Sequence, residues 1–431
     1  MAFVNLLAVM VVVAGLWRFR AGFAAVIVAT QALRVVGLQD LDTSLGWPNS
    51  TYLLAAASVV SLCAGYLFAS RRTRATAAAA ATDKPRRIGR PWADEGVYAV
   101  VVVAGVLAIY HLYKLGFPIF ASDVETRRFD FTSSGLFGIP GRMYGYGTTA
   151  AWMLASANAS SRGVRWREYR PWRLATVFQV LTGLLGGFKG GMFTLIVVWI
   201  GVNAVLRANP RRLGALVARL ISLVPLPIIY FGFVASLYGT TSKTGKSSLA
   251  LLWDRLTTVP SQPTYYALNH HFVTTGGPPI LTDFSYLLGK YAHLPTDINY
   301  TLEHAVSASI IGVSPESTVF IVPVTVSGFA EAVLTITVIP ALALMAVVGF
   351  ILGRAEVTVP KTVTSGTLLS LLCLCLYRWV SKGEFAYIVL NNVAVVLFLG
   401  GIAWATTLIV GKRGDKARPS ITTAAEPTPL T

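Results

Sequence analysis

The sequence predicts an all-α, polytopic membrane protein of about eleven transmembrane helices, its N-terminus outside the membrane and its C-terminus cytoplasmic. Three observations predict it. Of 431 residues, 54% are hydrophobic and only 13% are charged, against about a quarter charged in a soluble domain. Mean hydropathy is +0.62, and the apolar residues fall in runs of the length that crosses a bilayer. The basic residues gather in short segments between those runs, which is how cytoplasmic loops look.

At about 20 residues per crossing, the runs place spans near 2–17, 21–38, 51–69, 96–114, 141–157, 173–188, 191–206, 213–235, 319–352, 364–380 and 385–409. The first run lacks a basic leader and is followed by many others, so it reads as a span and not as a signal peptide. Seven basic residues lie between Arg71 and Arg90, five between Arg162 and Arg173 and four between Arg207 and Arg219; more stand at Arg354, at Lys361 and in the tail GKRGDKAR. This puts Arg18–Arg20, 70–95, 158–172, 207–212, 353–363 and the tail in the cytoplasm, and 39–50, 115–140, 189–190, 236–318 and 381–384 outside. The run 319–352 exceeds one crossing unless it is tilted or broken near Pro340. Residues 1–411 thus form one integral membrane domain that includes the outer loop 236–318, and 412–431 form a disordered cytoplasmic tail.

The net charge of +17 is therefore a topology signal and implies no nucleic-acid partner. Cys63, Cys373 and Cys375 lie inside apolar runs, where they are small buried side chains.

The outer loop 236–318 carries four of the five histidines (His270, His271, His293 and His304), five acids and four basic residues. A segment of that length is usually functional, and it has room for one or two lid helices. Its stretches PSQPTYYALNHHF and HLPTDINY suit stacking on a polyhydroxylated ligand; aromatic side chains also anchor membrane surfaces.

Ionisable residues recur at the outer ends of spans, where charge is expensive and commonly functional. Lys189 sits in GGFKGGMF, a turn that exposes backbone N–H groups or simply joins two helices. Arg142 opens a span in IPGRMYGYG, Arg378 stands one turn before the outward SKGEF, and Arg34 holds a like position on the second span. The stretch GFPIFASDVETRRFDF adds Arg127 and Arg128. Together, Arg34, Arg127, Arg128, Arg142, Lys189 and Arg378 form the cationic set that a diphosphate needs: guanidinium forks grip its oxygens and a lysine adds a point charge. Asp123, Glu125, Asp130 and Glu331 supply nearby acids.

These motifs resemble the bacterial oligosaccharide repeat-unit polymerases, the Wzy-like branch of the O-antigen and capsule polymerase superfamily. LGFPIFASDVETRRF stands in the place of that family's Gly-x-Pro-x-Phe/Ser-Asp…Arg element. FKGG falls where the family commonly has Arg-Gly, and SGFAEAVLTI after the long outer loop is similar to its Gly-Glu-Ala element. The resemblance covers most of 96–400 through short motifs. It implies a multi-span fold related to the lipid-dependent, GT-C-like glycosyltransferases. It also implies an undecaprenyl-diphosphate-linked oligosaccharide substrate, polymerised at the outer face of the plasma membrane beside a flippase and a chain-length regulator. Asp123 and Arg128 would belong to the first element, Lys189 would replace the customary arginine, and Glu331 would be the acid of the last. The chain departs from the family in that lysine and in SGFAEAVLTITVIP, which lacks a glycine–aromatic continuation.

Such a transfer needs a leaving diphosphate stabilised by preorganised charge and an acceptor hydroxyl held against the donor. A base within hydrogen-bond reach takes the proton; the candidates are Asp123, His271 and Glu331. Adjacent histidines without a third ligand are a poor metal site, so no metal or cofactor is expected. A glycan ligase would share these features. A polyprenyl-lipid or solute transporter is the alternative from another class, and it predicts an internal repeat or charges spread through midmembrane positions.

Overall fold

The computed structural model describes residues 22–45, 51–79, 89, 91–121, 138–187, 191–206, 225–237, 245, 247–269, 278–292, 295–297, 300–316, 324–358 and 360–416. It is all-α. In chain order the helices are α1 (Phe23–Leu45), α2 (Thr51–Ala79) and α3 (Asp94–Lys114). Next comes α4, which joins Ile139–Arg142, a π-helical turn Met143–Gly147 and Thr148–Arg162 end to end. The series continues with α5 (Arg170–Leu185), α6 (Gly191–Leu206) and α7 (Pro225–Leu237). Four helices, α8 (Ser248–Leu256), α9 (Thr258–Asn269), α10 (Pro279–Ala292) and α11 (Leu302–Ile311), occupy the segment expected as an outer loop with one or two. The last four are α12 (Gly328–Ile336), α13 (Val338–Val357), α14 (Val363–Lys382) and α15 (Phe385–Lys416). Helix α15 runs past 411, where the tail was expected to begin.

Six helices among the described residues are long and apolar enough to cross a membrane: Phe23–Thr43, Thr51–Arg71, Asp94–Phe120, Val338–Val357, Val363–Lys382 and Phe385–Ile409. Large apolar side chains such as Val60, Phe68, Val106, Leu397 and Trp404 are exposed along them, as a lipid-facing belt requires. The chain is a multi-pass membrane protein. The expectation of about eleven spans is overturned, and with it the path that set the N-terminus outside. Helices α5 and α6 have 16 residues each; at about 1.5 Å per residue they fall short of a hydrocarbon layer about 30 Å thick. Helix α7 is shorter still. Helix α4 is rich in Thr, Ser, Ala and Asn because it is wrapped by protein: Thr148 to Ala159 are all buried, and it packs on α3, α5, α6 and α14. The run 319–352 breaks at Thr337, whose φ of +69° separates short α12 from spanning α13. The expected span 2–17 lies outside the described residues.

The tightest seam joins α2 to α13. A Cβ on Gly65 would collide with the Ala346 carbonyl, one on Gly349 with the Leu62 carbonyl, and one on Gly353 with Tyr66 and Ala69. Gly349 and Gly353 form a G-x-x-x-G pair facing Gly65 and Ala69, the small-residue spacing that lets helix backbones touch in a membrane.

Helix α1 is fixed at its start and at its middle. At its start the buried Glu356 carboxylate accepts from Ala24 N (3.0 Å) and from the Tyr66 hydroxyl (3.0 Å). One helical stretch further on, Arg34 and Gln31 donate to the last carbonyls of α14: Arg34 Nη2 to Ser381 O at 2.6 Å and Gln31 Nε2 to Val380 O at 3.1 Å.

Described residues of three segments expected on the cytoplasmic side, 70–95, 158–172 and 353–363, meet at one end of the bundle. Gly89 N donates to Lys361 O (2.9 Å), Trp92 N to Asn158 Oδ1 (2.8 Å), and Arg162 pairs with Asp94 (2.9 Å). The opposite end carries Gly138, Glu331 and the α14–α15 turn.

Candidate functional site

Ser327 caps α12, its Oγ accepting from Ala330 N at 3.2 Å, which turns Glu331 inward from the first turn. Its carboxyl is fully buried and accepts two bonds, from Trp379 Nε1 (2.8 Å) and from Phe385 N (3.2 Å). Phe385 opens α15, so Glu331 occupies the positive end of that helix and satisfies one of its orphan donors. The turn that wraps it is unusual. Gly383 has φ +73° and ψ −142°, a glycine-only region, and a Cβ there would meet Val326 O and approach Glu331 Oε2. Glu384 follows at φ +60°, strained for a residue with a side chain.

Three further acids stand in the field of Glu331. Asp283, on α10, is buried and accepts from Leu302 N at 3.0 Å, capping α11. Glu303, in the first turn of α11, is only 3% exposed, and its Oε1 has no hydrogen-bond partner among the described residues. Glu384 comes from the α14–α15 turn. All four lie outside the six spans, and all hold their protons more tightly than usual. Burial is the main cause for each. It carries Asp283 up to about 7, against the bond from Leu302 and with added repulsion from Glu384. It carries Glu331 up to about 8, with repulsion from Asp283 adding and the Trp379 and Phe385 donors opposing. Glu303 is raised by burial and then by Glu384, Asp283 and Glu331; Glu384 is raised by burial, with Lys382 and Arg378 pulling it back. Among the described residues no group of three or more His, Cys, Asp or Glu is arranged to hold a metal ion.

Cations border this cluster. Arg378 lies over the Tyr146 ring, 4.5 Å from its centroid, and donates from Nη2 to Gly145 O at 3.2 Å. Both partners belong to the π-helical turn of α4, a distortion that often marks functional positions. Arg142 donates from Nε to Asn391 Oδ1 at 3.0 Å, and Tyr387, one turn before Asn391, meets Tyr146 edge-on at 6.2 Å. Lys382 is exposed beside Glu384.

Of the nine residues singled out by sequence, Glu331, Arg142 and Arg378 come together at this end of the bundle. Arg34 reaches the same end, but its guanidinium is buried and committed to Ser381 O and to Gln31 Oε1 (3.3 Å); it caps α14. Asp123, Arg127, Arg128, Lys189 and His271 lie outside the described residues. Sequence reasoning missed Asp283, Glu303 and Glu384. The signal was present: Asp283 and Glu303 interrupt otherwise apolar helical stretches, PILTDFSYLL and TLEHAVSASII, where an unpaired acid is costly.

No family model matches the chain, and neither a curated protein nor a solved structure is significantly similar to it.

The cluster has a consequence for stability. A carboxyl whose proton affinity rises on folding stabilises the fold fully below its unfolded value near 4 and loses that contribution as pH rises through its folded value. Between about pH 4 and about pH 8 the stability is therefore expected to fall, by on the order of 1 kcal/mol per pH unit for each titrating carboxyl, and the melting temperature with it. Asp283→Asn should flatten the slope near pH 7, as read by thermal melting in detergent. A stability that stays flat over the same interval would show the cluster to be ionised throughout.

Proposed function

We propose that this chain is a glycosyltransferase that polymerises undecaprenyl-diphosphate-linked oligosaccharide repeat units at the outer face of the plasma membrane. The observation that supports it is the Glu331 carboxyl: buried, oriented by Trp379 and Phe385, in the field of Glu384, which Lys382 and Arg378 in turn hold, and carried on SGFAEAVLTI, the element that resembles the polymerases' last motif. In the reaction, the acceptor hydroxyl oxygen forms a bond to C1 of the donor sugar. The bond from C1 to the diphosphate breaks, its electron pair leaves with the phosphate oxygen, and the hydroxyl proton passes to a carboxylate of the cluster. A base whose proton affinity lies near the working pH is well matched to that step, and Arg378 and Lys382 offset charge on the leaving group.

The four-carboxyl cluster favours one second function, a proton-coupled transporter, because buried acids that bind protons near neutrality are what such coupling uses. One experiment separates the two. The protein in nanodiscs is given a short-chain polyprenyl-diphosphate oligosaccharide with a chelator present, and glycan length is followed by gel. A ladder that disappears in Arg378→Ala is the expected result. No ladder, together with proton-dependent movement of labelled lipid or solute across a liposome, would replace the polymerase with a transporter.

A further inference from the structure

At the opposite end of the bundle, the loop between α4 and α5 is a rigid basic ledge. Gly163, at φ +70°, ends α4, and Trp166 then folds back into a box of rings, 5.7 Å from Trp152 and 6.1 Å from Trp172. Every indole N–H of the box is bonded: Trp166 to Ser160 Oγ (2.9 Å), Trp172 to Ser156 Oγ (3.0 Å) and Trp152 to Thr176 Oγ1 (2.9 Å). The Tyr169 hydroxyl donates to Asp94 at 2.7 Å, tying the loop to the first residue of the α3 span. The ledge is thereby fixed to the end of a helix long and apolar enough to cross a membrane, and tryptophan and tyrosine are enriched where hydrocarbon gives way to headgroups.

Five exposed arginines stand on it: Arg162, Arg165, Arg167, Arg170 and Arg173. Arg162 is paired with Asp94; Arg165 meets Glu168 only at 3.8 Å, with both side chains largely in solvent. Arg167, Arg170 and Arg173 have no carboxylate partner among the described residues. Arg170 and Arg173 are i,i+3 neighbours on one helix face, where like charges repel, and the first turn of α5 holds no acid to offset them. The scaffold thus carries three arginines within seven residues, none of them paired with a carboxylate among the described residues.

We propose that this ledge binds the phosphate headgroups of anionic phospholipids in the leaflet it abuts. Its place favours a lipid over a free anion, since the same loop exposes Val164 and is tied to the end of the α3 span, where phosphodiesters are concentrated. Each arginine near a charged bilayer surface contributes about 5-fold in affinity.

The test is native mass spectrometry and fluorescent-lipid binding on the purified full chain with phosphatidylglycerol or phosphatidylcholine. Preferential retention of phosphatidylglycerol is expected, falling roughly 100-fold in Arg167→Gln/Arg170→Gln/Arg173→Gln and largely restored when the three are lysine. Lys114→Gln/Lys290→Gln, which removes exposed lysines elsewhere, should leave binding unchanged. If the triple variant does not fold, added salt must weaken phosphatidylglycerol binding to the unmodified protein. Equal retention of phosphatidylcholine, insensitivity to salt, or displacement by an equal concentration of inorganic phosphate would each overturn the assignment to lipid.

Discussion

Glu331→Gln is expected to lower the rate of the proposed glycosyl transfer by about 10²–10⁴-fold while the protein still folds. Glutamine keeps the shape and one carbonyl acceptor, so either Trp379 Nε1 or Phe385 N retains its partner. The other donor is stranded, at a cost of about 1–3 kcal/mol, which lowers the melting temperature without abolishing the fold. What glutamine cannot do is accept the proton of the acceptor hydroxyl. Trp379→Phe separates positioning from chemistry: it removes one donor that favours the ionised carboxyl and leaves the carboxyl itself, so a modest loss in rate should accompany a higher apparent proton affinity in the pH profile. The comparison is made in nanodiscs, with rate and melting temperature measured on the same preparations. A Glu331→Gln enzyme that elongates at the unmodified rate would reduce Glu331 to a cap for α15.

Gly349→Leu is expected to remove folded protein from the membrane altogether. Its Cβ would occupy the place of the Leu62 carbonyl, with Tyr66 N close behind. These are backbone atoms of α2 and have no rotamer by which to yield. The helices would have to part along the whole seam, at a cost of about 3 kcal/mol or more, which consumes much of the marginal stability of a typical fold. Gly400→Leu is the matched control: a Cβ there meets nothing within 4 Å, on a helix of the same kind. Size-exclusion profiles of the two variants should differ between aggregate and monodisperse protein. Equal profiles would show that α2 and α13 are not in backbone contact.

The membrane class, the helical content and the grouping of basic loops at one end were legible in composition and charge placement. Span number was not, because hydropathy reads apolarity and not what a helix faces. In α4 the polar character of TTAAWMLASANASSR follows from protein on every side, while the apolar α6 has only 16 described residues, fewer than a crossing takes. The division of 319–352 was legible: the backbone turns at Thr337, three residues before Pro340, whose ring excludes a helical bond to the Ile336 carbonyl. At the site, Glu331 was found from its motif and Arg378 from its place at a span end. Arg34 was found for the same reason, but its partners are the carbonyls of α14, which no spacing in the sequence reveals. Asp283, Glu303 and Glu384 come from three segments, and their convergence is a property of the fold alone.

The double anchoring of α1 bears on how the protein is made. Its two fixing partners, Glu356 and Ser381, lie 332 and 347 residues later in the chain than the groups they hold. The ribosome therefore delivers α1 to the bilayer with Gln31 and Arg34 exposed to an environment that offers them no acceptor. Nearly the whole of translation passes before α13 and α14 arrive. Among the first helices synthesised, α1 is among the last to be completed, and until then the insertion machinery must shelter its polar face.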